Sequence, residues 1–247
     1  MFVAAVLRLL TEDRPPREVS VARSLAAGAR EVPATVAGAV RLSVTDGPMR
    51  LVLLLTAVGG VGLVGCELLG PVRFADLAGG ADGGAAVYGV VLAISFAAAA
   101  VGAVATPGLR RLLAGSTRIT CVVLSVLGAA GLALFAGPDL LAVVATGFAL
   151  YYVAHGATWP LLSAVLHTRV PAAHRATAVS AMSLAMALGG ILGNVVVPGL
   201  ATAVGVEGAM LAVAAVVLLG AVACMRLPHS TRDEAAIAAE TPVETPA

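Results

Sequence analysis

Two ionisable side chains stand inside long apolar runs of this sequence, Glu67 in "VGLVGCELLG" and His155 in "FALYYVAHGATWPLL". A carboxyl or an imidazole in hydrocarbon is costly unless paired, and such groups tend to mark ion, proton or substrate pathways. Tyr152, His155, Trp159 and Ser163 succeed one another at steps of three and four residues, which puts them on one face of a helix. As a cavity wall, that stripe would stack rings on an amphipathic compound while His155 donates, accepts or titrates. The plainer alternative is that His155 and Tyr152 hydrogen-bond to a neighbouring helix. Glu67 shares a face with Thr56, Gly60 and Gly70. It can carry a proton or meet a cationic substrate, or else reach outward and pair with Arg73. A third set, Ser180, Ser183, Gly190 and Asn194 with Met186 alongside, also falls on one helical face. It reads either as polar lining or as small-residue packing with Ser and Asn bonding across helices.

The elements that must hold these residues follow from composition. Of the 247 residues 60% are hydrophobic and 12% charged, and mean hydropathy is +1.00. A soluble domain carries about 25% charged residues, so the surface is meant for lipid. Hydrocarbon admits only helices or closed barrels, because backbone groups must be satisfied internally. The apolar runs here are long rather than alternating, which selects an all-α membrane protein. A span needs about 20 apolar residues, and six segments qualify, near 51–72, 86–107, 118–136, 140–164, 177–199 and 208–226. The breaks between them carry turn or charge signals, among them "RFADLAGGADGG", "AGPD" and "VGVEG". Pro160 and Pro198 are expected to kink or end their spans.

All fifteen basic residues are Arg. With both ends of the six-span block on one side, that side receives thirteen of them, from Arg14 to Arg232, and the other only Arg73. The positive-inside rule then makes both ends cytoplasmic. The composition looks like that of a GC-rich bacterial genome, so the location is a bacterial plasma membrane. "MFVAAVLRLL" is too short to span, and residues 1–10 read as the end of a helix whose beginning is absent. Residues 11–50 form a cytoplasmic loop, 51–228 the six-span block, and 229–247 a polar, disordered tail. Cys66, Cys121 and Cys224 have no metal-ligand spacing and read as packing residues. His167 and His174 have no carboxylate or thiol beside them, so no metal or cofactor is expected. Nothing suggests a nucleic-acid partner.

A loop of about forty residues followed by six spans resembles the central loop and C-terminal half of a major facilitator superfamily transporter. "GAVATPGLRRL" resembles the second copy of that family's Gly-rich, Arg-rich cytoplasmic loop, with Gly102, Arg110 and Arg111 at the first Gly and the basic pair. Thr106 and Pro107 stand where the loop has an Asp and a further basic residue. "VPAAHRATAVSAMSLAMALGGILGNVVVPGL" is similar to the penultimate span, and "VGCELLGPVRFADL" looks like efflux-type and actinobacterial members. The resemblance implies inverted three-span repeats, substrate held near the midplane, and alternating access. It implies a partner too, a second six-helix half supplied by another chain or a second copy. A proton-coupled transporter half for a small amphipathic compound is the leading expectation. A non-functional fragment and the permease of a multi-component transporter are the alternatives. An intramembrane enzyme has no support: Gly-x-Ser-x-Gly, His-Glu-x-x-His and paired intramembrane aspartates are all missing.

Overall fold

Five helices account for almost every residue from 46 to 170 and from 175 to 227, the residues that this computed structural model describes. They are α1 (Gly47–Leu77), α2 (Ala81–Leu112), α3 (Thr117–Phe135), α4 (Leu141–Arg169) and α5 (Arg175–Cys224). Each is long and apolar enough to cross a membrane. The expected partial helix at 1–10, most of the 11–50 loop, the tail and His174 lie outside the described residues.

Local signals set the helix ends. Asp46 caps α1 by accepting from the Met49 N–H at 3.1 Å, with Pro48 in the first turn. Ser116 caps α3 in the same way through the Ile119 N–H at 3.2 Å. Gly79 and Gly80, both at positive φ, make the short turn from α1 to α2. Pro71, Pro107, Pro160 and Pro198 all sit inside helices. The expectation that Pro160 or Pro198 ends a span is therefore wrong.

Six spans were expected and five helices are found, because "VGVEG" is not a loop. Two helices abut there across a sharp kink, and only Gly205 (φ 80°, ψ 169°) leaves the helical region. Contacts along α1 reveal what that one residue does. Ala57 faces Gly189 and Val61 faces Gly193, so the limb before Gly205 runs parallel to α1. Gly65 faces Val213 and Val58 faces Gly220, so the limb after Gly205 runs antiparallel to it. The chain reverses at Gly205.

Packing then repeats itself. α1 packs against both limbs of α5, and α4 packs against both α2 and α3. Without a hydrophobic force between helices in lipid, close approach through small residues supplies the attraction. A methyl at Gly60 would strike the Met186 carbonyl, and one at Gly189 the Ala57 carbonyl. Across α2 and α4, Gly156 meets the Ala99 carbonyl and Gly102 meets the Val153 carbonyl. In all four helices the facing carbonyl lies three residues before the glycine. Exchanging α1, α2 and α3 for α4, the first limb and the second limb carries one seam onto the other.

The two ends differ in charge. Arg50, Arg110, Arg111, Arg118, Arg169, Arg175 and Arg226 gather at one end with Asp46, whereas Arg73 stands at the other among Asp76, Asp82, Asp139 and Glu207. At the basic end Arg169 approaches Asp46 at 3.7 Å, and Arg118 Nε donates to the Leu227 carbonyl at 2.7 Å. At the acidic end Arg73, 3% exposed, donates to Glu207 at 2.6 Å and to the Gly137 carbonyl at 2.7 Å. It also pairs with Asp139 at 2.8 Å.

Candidate functional site

His155 is the middle residue of α4, with fourteen helical residues on either side. Its imidazole lies over Gly59 of α1, where an added methyl would come within 3.3 Å of Cε1. Gly59 precedes Gly60 as His155 precedes Gly156. The exchange that swaps the two seams therefore swaps these residues with each other. His155 thus stands on the axis relating the two triplets of helices, in space that its counterpart leaves open by having no side chain. The Tyr151 ring stacks on the imidazole at 5.8 Å, and the Tyr151 hydroxyl donates to the Gly59 carbonyl at 3.0 Å.

Two small cavities flank the imidazole. One of about 40 Å³ lies between α1, α3, α4 and the second limb of α5, with Ser125, Tyr151 and Thr158 among its polar lining. The other, about 20 Å³, lies between α1, α4 and the first limb, lined by Thr56, Trp159 and Met186. A water needs roughly 10–15 Å³ of such volume, so either side can hydrate the ring.

The residues marked by sequence divide into groups. His155, Trp159, Thr56 and Met186 meet at the smaller cavity. Ser163 is half-buried two turns further along α4 and lines neither cavity. Tyr152 is 1% exposed and packs inside, stacked on Phe148 at 5.0 Å and edge-on to Phe96 of α2 at 5.5 Å. Its hydroxyl is buried with no hydrogen-bond partner. Positions three and four residues before His155 are equally near on a helix wheel. Contact with α2 claims Tyr152 and leaves Tyr151 for the imidazole, so sequence reasoning marked the wrong neighbour. Gly59, Ser125 and Thr158 were missed as well, having no signal in sequence apart from being small or hydroxylated.

Glu67 is exposed on α1 and makes no hydrogen bond or ion pair with any described residue. The expected alternative, pairing with Arg73, is wrong. Six residues along a helix turn the side chain by about 120°, and Arg73 points inward to Glu207 and Asp139. Eight residues separate Glu67 from Gly59, about 12 Å of helix rise, so Glu67 and His155 are not a direct pair.

On the first limb of α5, Ser180, Ser183 and Asn194 are exposed, and each bonds back to a carbonyl of its own helix at 3.0–3.2 Å. Bonding across helices, one of the two expectations, does not occur there; Gly189, Gly190 and Gly193 make the packing face instead. Gly102 is likewise no loop residue. It lies within α2 against Val153, and Thr106 Oγ1 there sits 2.9 Å from the Gly102 carbonyl and 3.1 Å from that of Ala157. Arg110 and Arg111 fall in the last turn of α2, where Arg110 Nε donates to the Gly115 carbonyl at 3.0 Å.

No curated protein matches the chain. Residues 1–194, and again residues 147–246, match the model of the Major Facilitator Superfamily. Inverted triplets of membrane helices are how proteins of that family are built, in keeping with the repeated seams and the reversal at Gly205. The chain belongs to the major facilitator superfamily, a family of membrane transporters.

Proposed function

We propose that the chain is a six-crossing half of a secondary active transporter, α5 crossing twice, which moves a small amphipathic compound by alternating access. Coupling is to protons, and the direction is efflux. Both ends of the block face the cytoplasm of a bacterial cell, the Arg-rich end being the cytoplasmic one. A second six-helix half, from another chain or a second copy, completes the substrate cavity. His155 and Glu67 carry the exchangeable protons. Trp159, Ser163, Ser183 and Asn194 contribute to the wall, with Tyr152 holding the ring cluster behind it.

The observation that carries this reading is a titratable imidazole midway along α4, on the axis between repeated helix triplets, with a hydratable cavity on each side. A ring that only tied helices together would be hydrogen-bonded; among the described residues His155 has stacking and van der Waals contacts alone. Glu67 supports an amphipathic cation as the substrate, being the acidic side chain furthest from the end of a crossing among the described residues.

The test is transport in proteoliposomes under an imposed pH gradient, read with a fluorescent lipophilic cation. The full chain should drive gradient-dependent accumulation. His155→Ala and Glu67→Gln should each reduce it to the leak rate of protein-free vesicles. Unaltered gradient-driven transport in both variants would remove the coupling assignments, and no accumulation by the full chain would remove the reading itself.

A further inference from the structure

Cys121 is the fifth residue of α3 and Cys224 the last of α5, 103 positions apart in sequence. Their Sγ atoms lie 2.7 Å from each other, and Ser125 Oγ lies 3.5 Å from the Cys224 sulfur. This is a registered contact rather than a chance approach. One helical turn nearer the basic end, Arg118 Nε holds the Leu227 carbonyl at 2.7 Å. Stepping three residues forward on α3 and three back on α5 leads from that bond to the sulfur pair. The usual obstacle to joining two cysteines is that their backbones stand too far apart, and here both thiols already point at one another. Cys66 belongs to a different core cluster, near the aromatic rings.

The pair is buried, yet one member borders open space inside the bundle. Cys121 and Ser125 line the cavity of about 40 Å³ beside His155, and Cys224 is not among its lining residues. That space admits a molecule the size of water or hydrogen peroxide.

We propose that Cys121 and Cys224 form a redox modification site, an intramolecular disulfide made by peroxide that pins the start of α3 to the end of α5. In the first step the Cys121 sulfur attacks one peroxide oxygen. The O–O bond breaks, the thiol proton leaves with the departing oxygen as water, and Cys121 becomes a sulfenic acid. In the second step the Cys224 sulfur attacks the Cys121 sulfur. The S–O bond breaks, the Cys224 proton joins the leaving hydroxide as a second water, and the Sγ–Sγ bond remains. The two thiols are oxidised and the peroxide is reduced to two waters. A dithiol reductant reverses the reaction by exchange.

The experiment treats the full chain in proteoliposomes with hydrogen peroxide, then denatures it and alkylates the remaining thiols with maleimide. Alkylatable cysteines should fall from three to one, Cys66, with a peptide cross-link between Cys121 and Cys224 that dithiothreitol removes. In Cys224→Ser the sulfenic acid should persist on Cys121 and be trapped by dimedone, whereas Cys121→Ser should give no adduct on Cys224. Three alkylatable thiols after peroxide would overturn the proposal. So would overoxidation of single cysteines without a bridge, or a bridge between two chains.

Discussion

Arg73 is a single side chain that holds three pieces of chain at once. Its guanidinium reaches Glu207 just past the reversal, and Asp139 and the Gly137 carbonyl in the connection from α3 to α4. The two carboxylates are largely exposed, at 48% and 83%, so much of the Coulomb attraction is screened. What remains is a charge-assisted bond and a carbonyl bond in a buried setting. Arg73→Met is expected to lower stability by about 1–3 kcal/mol, read as a fall in thermal unfolding temperature in detergent. Glu207→Gln should cost less, because Asp139 and the Gly137 carbonyl still hold the guanidinium. An equal or larger loss for Glu207→Gln would show that the Arg73 geometry is not what matters. At this scale the sequence was legible in part. His155 is recognisable from its apolar setting, and Arg73 from its position after a span. Which neighbour each one meets depends on helix pairing: Tyr151 rather than Tyr152 stacks on His155, and the sulfur pair bridges 103 residues.

Among the elements, α5 shows where the one-dimensional reading stops. Hydropathy identifies its fifty residues as ample for two crossings, and "VGVEG" carries the glycines and the charge that usually open a loop. The structure makes the reversal with one residue and no loop. At φ 80° and ψ 169° the Gly205 backbone occupies a region open almost only to glycine. Gly205→Ala should therefore cost about 1–3 kcal/mol and loosen the limb after it. Hydrogen–deuterium exchange would show faster exchange confined to residues after 205, and unchanged exchange there would mean the reversal tolerates a side chain. The residues that set helix ends elsewhere, Asp46, Ser116 and the Gly79–Gly80 pair, are ordinary capping and turn residues. Gly102 was misread as part of a loop because its role, admitting the Val153 carbonyl, appears only once α2 and α4 are paired.

At the scale of the whole molecule, composition alone selected a helical membrane protein, because 12% charged residues cannot cover a water-facing surface. The arrangement of charge goes further and yields a sided prediction. In a cysteine-free background, Asp82→Cys in intact cells should react with a membrane-impermeant maleimide. Arg50→Cys and Arg226→Cys should react only after permeabilisation. Shared labelling of Arg50 and Arg226 positions tests an even number of crossings, and labelling of Asp82 from the cytoplasmic side would reverse the orientation. The unequal ends carry a mechanical consequence. At the acidic end one guanidinium bolts together the far end of α1, the α3–α4 connection and the elbow of α5, so three stretches of chain are fixed to a single point. A bundle pinned this way has a fixed point near Arg73, and a tilt of any one of those stretches must carry the other two with it.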